Sequence, residues 1–254
     1  MIAEFLDRTF GEITLFRRVF TRTVYASFFG QRPEGEVLRQ MYQVGNKSLL
    51  FVCVTLGFIG MVLVFQTCLQ VNRITGDLSQ VGAEFIKILV HEFGPSLTAM
   101  MLATRVGAGI AAEIGSMVVT EQVDALRMNN VDPIDYLIVP RFLASLVMTG
   151  VLTSIGVAVA LTMGALTAWS SFHLNPVVFI DPARVQWGDL VTGIAKCAAY
   201  GAAIPIVSGF CGLSARGGSE GVGAATTRAV ITSSFVVIVL DFVISGVALF
   251  TVQR

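Results

Sequence analysis

Apolar residues run along this chain in stretches far longer than the core of a soluble domain requires, and the polar positions between them gather in a few compact connectors. A helix needs about 20 apolar residues to cross the hydrocarbon of a bilayer. Residues 49–71, 142–169, 194–213 and 230–252 meet that length. Residues 86–119 are also long enough but carry His91, Glu92, Arg105 and Glu113, so their first two-thirds predicts a span and their end a segment leaving the membrane. Ahead of all five, Leu6, Phe10, Ile13, Phe16, Phe20, Val24 and Phe28 form an apolar stripe, with Arg8, Glu12, Arg18 and Arg22 off it. That spacing predicts an amphipathic helix lying in the membrane interface; the alternative is a helix packed on a partner protein. Residues 31–35, with Pro33, then turn the chain toward the first span. The fold class is an all-α integral membrane protein, with an N-terminal interfacial helix and five transmembrane helices. It reads as one domain over residues 1–254, with 1–45 the N-terminal helix region and 46–254 the transmembrane part.

The connector at residues 112–141, AEIGSMVVTEQVDALRMNNVDPIDYLIVPR, has the most organised polarity. Val119, Val123 and Leu126 fall at helical spacing while Glu121, Gln122, Asp124 and Arg127 occupy other faces, which predicts a short amphipathic helix capped by Thr120. Asp132, Pro133 and Asp135 read as an N-cap, a first-turn proline and an acidic third position, so a second short helix should begin there. Pro140 suits the first turn of the following span. Helix, turn, helix and span in succession make a docking element stiff enough to transmit a push.

Composition bears out the membrane reading: 54% of residues are hydrophobic, 13% are charged and the mean hydropathy is +0.77, against roughly 25% charged in soluble domains. Lys+Arg 17 balance Asp+Glu 17, which leaves no basic surface for nucleic acid. The basic residues are distributed unevenly. Arg8, Arg17, Arg18, Arg22, Arg32, Arg39 and Lys47 precede the first span, whereas residues 72–85 hold only Arg73, so the N-terminus is expected in the cytoplasm and the C-terminus outside. Charges near the N-terminus do not match a signal peptide. The connector at 112–141 then faces the cytoplasm. Cys53, Cys68, Cys197 and Cys211 lie in apolar runs and read as small buried hydrophobes. Ala103, Gly107, Ala111 and Gly115; Gly156, Ala160 and Gly164; and Ala195, Ala199 and Ala203 form small-residue stripes that let helices approach closely in lipid, within one chain or across a dimer seam.

Residues 214–227, SARGGSEGVGAATT, are glycine-rich but lack the Lys of a phosphate-binding loop, so they read as a turn into a helix capped near Thr226 or Thr227. No catalytic serine or metalloprotease motif is present, His173 falls in an outside loop, and neither catalytic nor metal-ligating residues are assigned. Charges inside a membrane need partners or a wet functional surface. His91, Glu92, Arg105, Lys196 and Asp241 are therefore the candidates, with Glu92–Lys196 and Asp241–Arg105 as purely structural pairings and Lys196 or protonated His91 as headgroup ligands. Gly94-Pro95 predicts a break or kink beside them.

Residues 91–141, from HEFGPSLTAMM to DPIDYLIVPR, together with GVGAATTRAVITSSFVVIVLDFV at 221–243, resemble the MlaE (YrbE) permeases of MCE-associated ABC transporters, and the likeness extends from about Gln43 onward. The resemblance implies a homodimeric permease of the bacterial inner membrane that moves phospholipids and maintains outer-membrane lipid asymmetry. Its implied partners are cytoplasmic ATPase subunits, a periplasmic MCE-domain ring and a small cytoplasmic accessory subunit; ATP and magnesium belong to the ATPase, and this chain needs no cofactor. It implies a coupling helix at TEQVDALR, hence Glu121, Gln122, Asp124, Ala125, Leu126 and Arg127 against the ATPase. It implies a lipid cavity mapped onto Leu63, Val71, His91, Glu92, Phe93 and Lys196, with Gly94 and Pro95 as the gating kink. Relatives often carry Arg before Glu-x-Gly-Pro where this chain has His91. Two rival readings are a proton-coupled secondary transporter built on His91, Glu92 and Asp241, and a membrane scaffold that transports nothing.

Overall fold

The computed structural model describes residues 2–29, 35–74, 76–78, 80–179 and 186–251. The expected turn at 31–34 and the expected end of the fifth span at Val252 lie outside these, as do the side chains of Leu6, Phe10 and Phe28. The described elements are α1 (Ile2–Phe29), α2 (Glu36–Ile74), α3 (Val81–Val119), α4 (Gln122–Met128), α5 (Ile134–Phe172), α6 (Pro176–Phe179), α7 (Trp187–Leu213) and α8 (Gly218–Thr251). No strand occurs among the described residues. Helices α2, α3, α5, α7 and α8 are long and apolar enough to cross a membrane.

The boundaries depart from the sequence expectations where backbone chemistry allows a helix to continue. Helix α3 does not break at Gly94-Pro95; it runs unbroken from Val81 to Val119. Pro95 has no N–H for a bond back along the helix, and a π turn at Leu89–Phe93, in which the Gly94 N–H reaches the Leu89 carbonyl, absorbs the defect in place of a break. Pro140 is accommodated in the same way by the π turn Ile134–Ile138. The second short helix of the connector is therefore not separate, because the chain that starts at Pro133 continues into α5. Thr120 closes α3, donating its hydroxyl to the Ser116 carbonyl at 2.9 Å, and does not cap α4; Val119 likewise belongs to α3. Thr226 and Thr227 do not cap α8, which already begins at Gly218; their hydroxyls donate to the carbonyls four residues back, at 2.8 and 3.1 Å. Gly217 and Gly218, at φ +87 and +75, make the turn before α8 with a backbone that L side chains rarely adopt.

The chain forms two compact units, each drawing on several helices. One comprises Met1–Val44, Leu102–Val147 and Tyr200–Val237. Its core gathers Val19 of α1, Ile110 and Ile114 of α3, Val123 of α4, Ile138 of α5 and Val207 of α7. Gly212 lets α7 approach α3, since a Cβ there would meet the Ile114 Cβ at 2.9 Å. The other unit comprises Gly45–Met101, Met148–Ala199 and Ile238–Arg254, with a core around Val52, Leu56, Val64, Phe85, Leu89 and Ala160. Here α2 and α5 touch backbone to backbone: a Cβ at Gly60 would lie 2.6 Å from the Ala160 carbonyl oxygen. Small residues build such contacts because lipid supplies little hydrophobic drive between helices and dispersion rewards close approach. The Ala103–Ala111 and Ala160 stripes are thus used inside the chain, whereas Ala195 remains exposed and Ala199 only half-buried.

Candidate functional site

In the second unit, three helices bring ionisable groups together within the spans. Helix α3 supplies His91 and Glu92 from its π turn and Ser96 one turn later; α7 supplies Lys196; α8 supplies Asp241 and, four residues on, Ser245. Gly193 makes this possible, because a Cβ there would sit 2.7 Å from the Val90 carbonyl oxygen and hold α7 off the π turn. The Lys196 ammonium donates to Glu92 and lies 2.9 Å from Asp241 Oδ1. Ser245 Oγ donates to Glu92 Oε1 and Ser96 Oγ to Asp241 Oδ1, both at 2.9 Å. His91 Nδ1 stands 3.0 Å from Glu92 Oε1, which leaves its buried Nε2 without a hydrogen-bond partner.

The desolvation cost of these charges is met by reciprocal bonding. Lys196 is 0% exposed, whereas the Glu92 and Asp241 side chains are 36% and 30% exposed, so the cluster hides its cation and shows its carboxylate edges. The expected Glu92–Lys196 pair forms, and Asp241 joins the same ammonium. Of the other residues assigned to the cavity, Phe93 is exposed, while Leu63 and Val71 are half-buried against the apolar core of this unit. On the flank of the π turn, Val90, Pro95, Gly150, Thr153, Ile194 and Cys197 line a cavity of about 390 Å³.

In the first unit, α4 is a stub seated by one buried residue, Val123, and by half-buried Leu126. Glu121, Gln122, Asp124, Ala125 and Arg127 all face outward, and Met128 is 89% exposed. Glu121 at φ 60 and Asn130 at φ 58 bracket the helix with left-handed corners, which set its direction. Arg127 is tied to Asp124 at 2.9 Å. Asp132 caps the next helix by accepting the Ile134 N–H at 2.9 Å, as its position before Pro133 predicts. The connector is closed at its base by a pair that sequence reasoning missed: buried Arg141 of α5 reaches Glu113 of α3 at 2.7 Å. Their separation of 28 residues carries no periodic signal, so only the folded chain reveals it. Ser245 was missed as well, although its place one turn after Asp241 is a signal that could have found it. Among the described residues no group of three or more His, Cys, Asp or Glu side chains could hold a metal ion.

Residues 37–247 match the family model described as Permease MlaE. The chain belongs to the MlaE permease family. A probable ABC transporter permease of Synechocystis sp. is 38% identical over 85% of this chain and 82% of its own length. A probable ABC transporter permease of Rickettsia felis is 35% identical over 82% of this chain and 81% of its own. The Arabidopsis thaliana protein trigalactosyldiacylglycerol 1, chloroplastic, is 34% identical over 82% of this chain and 60% of its own. This MlaE-family chain is accordingly a multi-pass permease subunit of an ABC transporter, a transport component rather than a catalyst, and it works with ATPase partners. The structure places His91, Glu92 and Lys196 of its predicted cavity in one cluster, with Leu63, Val71 and Phe93 outside those bonds.

Proposed function

We propose that this permease moves phospholipid across the bacterial inner membrane as one half of a homodimer, and exchanges it with a periplasmic MCE-domain ring to maintain outer-membrane lipid asymmetry. The observation that carries this reading is the Lys196 cluster: carboxylate edges exposed within apolar helices give an amphiphilic substrate both a polar and an apolar place to rest. The diacylglycerol lipid in the name of the Arabidopsis relative supports a lipid substrate. The uneven basic residues support a cytoplasmic N-terminus and a periplasmic C-terminus. Helix α8, the least buried of the five spans, supports a second copy as packing partner. Outward-facing Glu121, Gln122, Asp124, Ala125 and Arg127 support α4 as the contact with the cytoplasmic ATPase, whose closure on ATP displaces α4 and reshapes the cavity; a small accessory subunit belongs on the same side.

The test is reconstitution of the permease with its ATPase in vesicles carrying labelled phospholipid. ATP-dependent lipid movement is expected, and it should persist when the proton gradient is dissipated. Movement that stops with the gradient and ignores ATP would establish the proton-coupled rival on His91, Glu92 and Asp241. Absence of both movement and co-purified lipid would establish the scaffold. Replacing Glu121 and Arg127 together is expected to abolish ATP-driven transport without loss of the folded permease, as read by transport and by size-exclusion profile.

A further inference from the structure

We propose that α1 is a strap that carries displacement of the α4 connector to α8, with Arg22 and Arg228 as its positioning residues. The proposal rests on α4 being the ATPase contact. At one end of the strap the Arg22 guanidinium forks onto Asp135 of α5, with Nε to Oδ1 at 3.1 Å and Nη2 to Oδ2 at 2.7 Å. The same Nε lies 3.6 Å from Asp132, the residue that caps this helix four positions after α4 ends. At the other end Glu12 receives the guanidinium of Arg228 in α8 through Nη2 at 2.7 Å and Nη1 at 3.3 Å. Arg228 also lies over the Phe210 ring at 5.6 Å, and Phe16 meets that ring edge-on at 5.5 Å. Val19, between the two forks, is buried, as are Thr23 and Ala26 just beyond Arg22.

Glu12 and Arg22 stand about 15 Å apart along one helix, so a rigid rod is fastened at both ends to segments far apart in sequence. Anchoring in a membrane interface requires neither fork, since the exposed apolar residues Ile13, Phe16 and Phe20 and the basic flank suffice for it. Paired N–H···O bonds from a planar guanidinium fix both direction and distance. At half-exposed positions they add little stability, which leaves transmission of position as their role. Helix α1 ends before the family match begins at residue 37.

The experiment compares the full permease–ATPase complex with Arg22→Glu, Asp135→Arg, Glu12→Arg and Arg228→Glu variants, and with the two double reversals. Permease-dependent stimulation of ATP hydrolysis, transport per ATP and thermal unfolding are measured on each. Each single reversal is expected to lower stimulation by at least about five-fold with its melting midpoint close to wild type. Each double reversal is expected to return to within about two-fold of wild type. Should a reversal fail to assemble, Arg22→Gln and Arg228→Gln are judged by the same readouts. Singles that assemble and couple normally would overturn the strap, as would folded doubles that stay as uncoupled as their singles. A wild-type complex that stimulates ATP hydrolysis without moving phospholipid would overturn the substrate reading and leave this test intact.

Discussion

Lys196 shows how one residue's meaning depends on its partners. In sequence it is a single cation in an apolar helix; in the fold it has no exposed surface and is shared by two carboxylates. Lys196→Met would strand Glu92 and Asp241 without a cation. Breaking a buried pair costs 3–5 kcal/mol, and the partial exposure of both carboxylates sets the expected loss at the low end, about 3 kcal/mol, read by thermal unfolding in detergent. Glycines give a sharper comparison. Gly60→Ala drives a Cβ against the fixed Ala160 carbonyl and is expected to cost about 2 kcal/mol, whereas Gly150, with nothing within 4 Å of its Cβ position, should accept Ala with a gain of up to about 1 kcal/mol. Glu121 has separate backbone and side-chain effects. Glu121→Gly relieves a left-handed backbone and should raise stability by roughly 1 kcal/mol or less, even though it removes a charge proposed to meet the ATPase. Equal unfolding midpoints for the Gly60 and Gly150 variants would refute the packing account. The charged candidates themselves were visible in sequence because charge in an apolar run is conspicuous, and Glu92–Lys196 was among the expected pairs; that Asp241 shares the same ammonium was not, because it depends on the rotation of three separate helices.

At the scale of elements, hydropathy located the five spans and misplaced several of their ends. The expected break in α3 and the expected separate helix before α5 are both replaced by π turns, since one widened turn releases the carbonyl opposite a proline at less cost than ending a helix in lipid. Helix α8 begins well before the apolar run because Gly217 and Gly218 start it and its first turns pack into the first unit. Capping chemistry was legible where the signal was compound, as at Asp132-Pro133. It misled at Thr120, a lone hydroxyl that serves the preceding helix equally well. Asp132→Ala removes that cap and an Arg22 contact, and should cost about 1 kcal/mol in thermal unfolding.

At the scale of the whole molecule, the sequence alone determined that the chain is an all-helical, multi-pass permease and where its polar connector lies. Length, hydropathy and the uneven distribution of charge are local quantities, and the long match over residues 37–247 carries the family directly. It also supplied the interfacial stripe of α1, whose exposed face survives at Ile13, Phe16 and Phe20. Only the tertiary structure decided which charges meet. The Glu92–Lys196–Asp241 cluster, the Glu113–Arg141 closure of the connector and the two guanidinium forks of α1 join residues from 28 to 216 positions apart. The physical reason is that periodicity fixes which face of a helix is apolar, while the partner a polar side chain finds depends on helix rotation and close approach. Those are set by where Gly60, Gly193 and Gly212 let neighbouring helices touch.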